Sequence, residues 1–173
     1  STDNSLKITN NFVKNHPGFI ALDLPHGGKP SALKGGLAKV KNDIVLFTDM
    51  DQSTPISELD KLLPYFSKGY QVVIGSRGTE RHNFNLSRRL ASAIFSSVRR
   101  LILLPNIIDT QCGFKAFKTD VARIIFPKLA YFSDRLDQSG WTVSAYDVEF
   151  LFMAQFLGYK IKEVKVKWQD EDT

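Results

Sequence analysis

Short apolar runs alternate along the chain with stretches whose apolar positions recur every three or four residues, and neither a repeat nor a low-complexity tract interrupts them. This alternation predicts an α/β fold, with residues 1–173 forming one domain. Residues 5–15 read as a helix with Leu6, Ile8, Phe12 and Val13 turned inward, followed by a Pro-Gly break and a strand-like run at 19–24. A loop is expected at 26–31, then a helical stripe of Leu33, Leu37 and Val40. Ile44-Val45-Leu46-Phe47-Thr48 is unalternated and β-rich, the signature of a buried parallel strand.

Thr54 and Pro55 predict a helix start, cap then first turn, with Ile56, Leu59, Leu63 and Phe66 facing the core. A buried strand is expected at 72–74 and a long amphipathic helix at 86–104, where Leu90, Ile94, Val98 and Leu101 oppose Arg88, Ser92, Ser96 and Arg99. Residues 113–117 predict a strand and 144–157 a helix. The alternation of Ile161, Val164 and Val166 in 160–168 predicts a strand at a sheet edge or surface.

Composition narrows the classes. With 43% hydrophobic and 24% charged residues, the chain has the balance of a folded globular protein. The single cysteine, Cys112, excludes an internal disulfide and a thiolate metal site, and a packed role suits it better than a reactive one. No apolar run approaches a membrane span and the N-terminus is unlike a signal peptide, so a soluble chain is expected. The window 77–100 holds six arginines against one acid, Glu80. That +5 excess, all arginine, points to a phosphate-bearing partner or, alternatively, to a solvated basic face.

Candidate chemistry clusters at predicted strand ends. Asp49-Met50-Asp51 closes the first apolar strand, where ligands of open α/β sheets bind. Two carboxylates so spaced can both reach Mg²⁺ or Mn²⁺ bridging a diphosphate; alternatively Asp49 ends the strand and Asp51 helps cap the next helix. Gly75-Ser76-Arg77 closes the next strand and would bring a guanidinium to the same rim. Asp109-Thr110-Gln111-Cys112-Gly113-Phe114-Lys115 puts a carboxylate and an amide ahead of a glycine that allows close approach. Asp147 reads equally as a helix cap, in Ser144-x-x-Asp147, and as a catalytic carboxylate. His16, His26 and His82 lack ligand spacing and receive no metal role.

Together these segments resemble family 2 glycosyltransferases, in particular those acting on polyprenyl phosphates. The likeness is carried by Ser1-Thr2-Asp3-Asn4-Ser5, similar to the tail of the family's DDGSTD element, by Asp49-Met50-Asp51, by Gly75-Ser76-Arg77, and most specifically by Asp109 to Phe117. Tyr146-Asp147-Val148-Glu149 and the terminal strand ending in Trp168 look like the glucosyltransferase branch. The resemblance implies a glycosyltransferase-A, Rossmann-like mixed sheet flanked by helices, here lacking the family's first strands and the nucleotide-base pocket they carry. It implies an inverting transfer of a hexose from a nucleotide-diphosphate sugar, UDP-glucose favoured, to a polyprenyl phosphate of the dolichyl type.

By the same resemblance Asp3, Asp49, Asp51 and Arg77 would bind the nucleotide sugar, Asp49 and Asp51 holding Mg²⁺ or Mn²⁺. Arg77, Arg88 and Ser92 would grip the acceptor phosphate, and Asp109 and Asp147 are the catalytic candidates. Arg88 and Ser92 lie one helical turn apart, which agrees with convergence on one phosphate. Gly28-Lys29-Pro30-Ser31 departs from the family's Gly-Lys-Gly, so Lys29 receives no role. A cytoplasmic protein held peripherally at a membrane surface is expected, with no nucleic-acid partner. Two alternatives stand beside this reading: a haloacid-dehalogenase-like phosphatase, from the DxD-x-S pattern at Asp49, and a truncated anion-binding domain without turnover.

Overall fold

The structure is a computed structural model that describes residues 3–78, 104–132 and 140–169. The chain divides into two compact units, Ser1–Lys41 and Asn42–Thr173.

The first unit carries two helices, α1 (Ser5–Asn15) and α2 (Gly28–Leu37). The predicted α1 forms, but none of its residues is buried, and Leu6, Ile8 and Phe12 lie exposed. Amphipathic spacing selects a helix, whereas burial needs a packed partner. Phe12 instead stacks on His16 with ring centroids 3.8 Å apart and meets Phe19 edge-on. The expected strand at 19–24 is irregular, with Phe19 and Ile20 exposed. The expected loop at 26–31 is cut short by α2, in whose first turn Pro30 sits, where a helix needs no internal N–H donor.

The second unit is a four-stranded sheet, among the described residues, in the order β1-β3-β2-β4. Its strands are β1 (Ile44–Phe47), β2 (Val72–Ser76), β3 (Lys115–Lys118) and β4 (Ile161–Lys165). β1 and β2 both pair antiparallel with β3, and β4 pairs parallel with β2. β1, β2 and β4 therefore point one way and β3 alone runs back. The buried parallel strand expected at 44–48 is thus corrected: β1 is half-buried, and its described ladder is antiparallel. β2 is buried throughout, as its apolar run predicts.

The register sorts side chains onto two faces. Val73 and Ala116 join Leu62, Phe66, Cys112, Phe114 and Val166 in a core under α3 (Leu59–Ser67). On the other face Phe47 and Phe117 meet Phe126 and Phe150, with ring centroids 4.7–5.5 Å apart, beneath α4 (Thr119–Ile125) and α5 (Gly140–Phe156). Helices thus cover both faces of a mixed sheet.

Two details of α3 and one of α5 differ from expectation. Pro55, extended, stands at the cap position in place of Thr54 and makes no side-chain cap; a 3₁₀ turn (Ile56–Glu58) precedes the α-helix. This shift of phase buries Leu62 and Phe66 and leaves Ile56 and Leu63 exposed. The last helix begins at Gly140, so Asp147 stands two turns inside α5 and is not its cap. β4 ends the sheet order, in keeping with its alternating sequence.

Candidate functional site

Strand direction makes the site. The carboxyl ends of β1, β2 and β4 and the amino end of β3 lie along one rim, since Phe47 pairs with Lys115 and Ser76 with Lys165. A cavity of about 220 Å³ opens there, lined by Thr48, Asp49, Asp51, Arg77, Gln111, Gly113 and Trp168, with Ser53 and Thr54. Asp49, Asp51 and Arg77 are therefore brought together from two strand ends, as the sequence predicts.

The acidic loop turns sharply after β1. Gln52 adopts a left-handed backbone, φ 56°, uncommon for a residue with a side chain. Its amide faces the Asp49 carbonyl at 3.4 Å, and Asp51 Oδ1 accepts the Ser53 amide at 3.0 Å. The turn sends both carboxylates to the cavity and leaves Met50, between them, 95% exposed. The Asp49 carboxylate occupies the space that a β-carbon on Gly113 would fill.

Arg77 is held from three sides. Its Nε and Nη2 donate to Asp109 Oδ2 and Oδ1 at 2.7 and 2.9 Å, and its amide donates to the same Oδ2 at 3.1 Å. Its guanidinium lies 5.6 Å from the Trp168 ring centroid, within cation-π range. The Asp109 hydrogen bonds hold the guanidinium protonated more firmly than usual, against the opposing effect of burial. Asp109 is itself anchored: the amides of Ile108 and Asp109 donate to the two carboxylate oxygens of Glu163 on β4, at 2.8 and 2.7 Å.

Trp168 reaches the cavity because the chain after β4 is laced to the rim. Val166 N donates to Ser76 O, Lys167 N to Glu58 Oε2 and Gln169 N to Ser53 O, all at 2.9–3.0 Å. Glu58 is buried and bonded to Lys61 Nζ at 2.6 Å. Burial alone would raise its carboxyl, yet Lys61 and the Lys167 amide hold it below the ordinary value.

Asp147 lies outside the described cavity lining and pairs with Lys115 on β3, Nζ to Oδ1 2.6 Å. Lys115 Nζ also donates to the Cys112 carbonyl at 2.6 Å, so this buried ammonium bridges strand, loop and helix. Next to it Tyr146 is buried, and burial first, then the charges of Asp147 and Asp49, push its hydroxyl far above its ordinary pKa. Cys112 is buried and its thiol is pushed up by burial, which agrees with a packed role.

Asp3 belongs to the first unit, where its Oδ1 accepts the Ser5 amide at 3.0 Å ahead of α1. Arg88 and Ser92 lie outside the described residues, as does most of the expected helix at 86–104. Gln111 and Gly113 stand in the segment the sequence marks for close approach, whereas Trp168 as a lining residue and Glu163 and Lys115 as anchors were missed. The glycine ahead of β3 and the tryptophan closing β4 were visible signals, but their direction depends on the rim.

Two carboxylates on one cavity are hard oxygen donors and suit Mg²⁺ or Mn²⁺ shared with diphosphate oxygens. Among the described residues no group of three or more His, Cys, Asp or Glu side chains is placed to hold a metal ion.

The sequence matches Glycosyl transferase family 2 over residues 1–126. Dolichyl-phosphate beta-glucosyltransferase ALG5C of Trichomonas vaginalis is 30% identical, covering 98% of this chain and 50% of that protein. The dolichyl-phosphate beta-glucosyltransferase of Saccharomyces cerevisiae is 28% identical, covering 99% and 55%. The chain thus spans about half the length of the curated relatives it matches. Among solved structures, glucosyl-3-phosphoglycerate synthase of Mycobacterium tuberculosis has a TM-score of 0.58 at 18% identity, covering 99% of this chain and 58% of that one. Its complex with Mn²⁺, UDP-glucose and glycerol 3-phosphate has a TM-score of 0.57 at 18% identity, with the same coverage. These likenesses give the glycosyltransferase-A architecture.

Proposed function

The chain belongs to glycosyl transferase family 2, and from that premise we propose that it carries the site of an inverting transferase moving a hexose from UDP-glucose to a polyprenyl phosphate of the dolichyl type. The observation supporting this most directly is the cavity that joins Asp49, Asp51 and Arg77 on one sheet rim. The relatives are named for transfer of glucose to dolichyl phosphate.

Asp49 and Asp51 would hold the cation, at the diphosphate end of the donor. When bound, Mg²⁺ or Mn²⁺ supplies charge neutralisation for the leaving nucleoside diphosphate. Arg77, preset by Asp109 and the Trp168 ring, offers a fixed positive charge to a second anionic group, the acceptor phosphate. Arg88 and Ser92 extend that grip. The acceptor's phosphate oxygen attacks the anomeric carbon, the bond to the diphosphate oxygen breaks, and configuration inverts. A phosphate is already anionic near neutral pH, so the site positions and neutralises more than it removes a proton. Asp109 and Asp147 serve this positioning, the first by aiming Arg77 and the second through its pair with Lys115.

Membrane association is peripheral and at the cytoplasmic face in this reading. Among the described residues no helix is long and apolar enough to cross a membrane.

Calorimetric titration with UDP-glucose tests the donor half. Binding is expected to be strengthened by Mn²⁺ and to weaken about ten-fold or more in Asp51→Ala, as loss of a partner to a charged group implies. Glucose transfer to vesicle-borne polyprenyl phosphate tests the acceptor half. Binding indifferent both to Mn²⁺ and to Asp51→Ala would sink the reading.

A further inference from the structure

Gly113 stands two residues ahead of β3, between Cys112 and Phe114, both buried in the α3-side core. Glycines are required in a chain either where φ is positive or where a side chain would collide with a neighbour. The first reason does not apply, because Gly113 is absent from the glycines with positive φ. The second does: a β-carbon there would overlap the Asp49 carboxylate, at Oδ2 and Cγ, and lie 3.0 Å from Oδ1.

The backbone on either side cannot readily yield. Phe114 O accepts the Gly75 amide at 2.8 Å, and Cys112 O accepts Lys115 Nζ at 2.6 Å. Gly75 is itself confined, since a β-carbon on it would lie 3.0 Å from Phe114 O and 3.1 Å from Val166 Cγ2. The Asp49 carboxylate, by contrast, is the end of a side chain, which yields at lower cost than backbone. A methyl group at 113 would therefore move the acid and leave the strand in place.

We propose that Gly113 is the positioning residue for Asp49: its bare α-carbon is the seat that aims this carboxylate into the cavity. The inference rests on the reading of Asp49 as a ligand of the cation and diphosphate, and adds how the fold presents it. Asp51 differs in that its Oδ1 accepts the Ser53 amide at 3.0 Å.

The test is Gly113→Ala with two readouts. The first is the affinity for UDP-glucose with and without Mn²⁺. Metal-free affinity should stay within about two-fold, while the enhancement by Mn²⁺ falls about ten-fold or more, within the range seen when a ligand-orienting neighbour is lost. Equal weakening in both conditions would mean that the methyl group strikes the nucleotide directly, and an unchanged enhancement would mean that the seat is unnecessary. Either result overturns the proposal.

The second readout is a thermal double-mutant cycle, which needs no ligand. Gly113→Ala should lower Tm by about 2–4 °C with Asp49 present. In Asp49→Ala it should leave Tm unchanged or raise it, since alanine restricts the unfolded chain. Identical shifts in the two backgrounds would refute contact-based positioning. A wild-type protein whose UDP-glucose binding ignores Mn²⁺ would count against the metal role, and the thermal cycle would still uphold or refute the seat.

Discussion

At the scale of single residues, Glu58 shows how a buried charge is kept ionised. Its carboxylate holds Lys61 and the Lys167 amide, and through that amide it fixes the segment bearing Trp168. The folded pKa lies below the ordinary value of 4.5. By linkage its contribution is complete above about pH 4.5 and is lost as pH falls through the lower folded value. Glu58→Gln should therefore be less stable than wild type at pH 7, with the gap narrowing in acid below about pH 4.5. Urea midpoints from neutral to acid pH measure this, and a constant gap would contradict it. Nothing local marks Glu58 as buried, because a glutamate beside Leu59 and Asp60 reads as a solvated first turn. The same limit applies to Asp147, whose spacing from Ser144 suggests a cap although the helix has already begun at Gly140.

At the scale of elements, the periodic signals were legible and the partners were not. The strand at 72–74, the strand before Lys118 and the final helix follow from apolar spacing. The irregular path at 19–24 and the exposed face of α1 do not, since spacing states a capacity to pack and never names what is packed against. α5 and β3 are joined by the Lys115–Asp147 pair, with Lys115 buried and the Asp147 side chain 15% exposed. Removing one member leaves the other unpaired in a low-dielectric setting, so Lys115→Met should cost about 3–5 kcal/mol. The double variant Lys115→Met/Asp147→Leu should recover most of that loss, because no charge is then stranded. Chemical denaturation of wild type, Lys115→Met, Asp147→Leu and the double variant decides it, and additive losses would show that the pair is not coupled.

At the scale of the whole molecule, the net charge of +5 equals the excess carried by residues 77–100. A chain so polarised should partition onto vesicles containing anionic lipid, and the binding should weaken steeply between about 50 and 200 mM salt as the Debye length contracts. Arg88→Glu with Arg99→Glu should abolish co-sedimentation while leaving metal-dependent UDP-glucose binding intact. Retention on vesicles at high salt would argue for apolar insertion instead.

Sequence alone determined the α/β class, the strand ends that bear Asp49, Asp51 and Arg77, and the family likeness, because apolar runs, periodicity and short motifs are properties of neighbours along the chain. Tertiary structure decided the rest. Reversal of β3 among strands that otherwise share a direction sets Gly113 beneath Asp49 and Asp109 against Arg77, a pair separated by 32 positions. Contacts of that kind depend on sheet order and register, which no local pattern specifies.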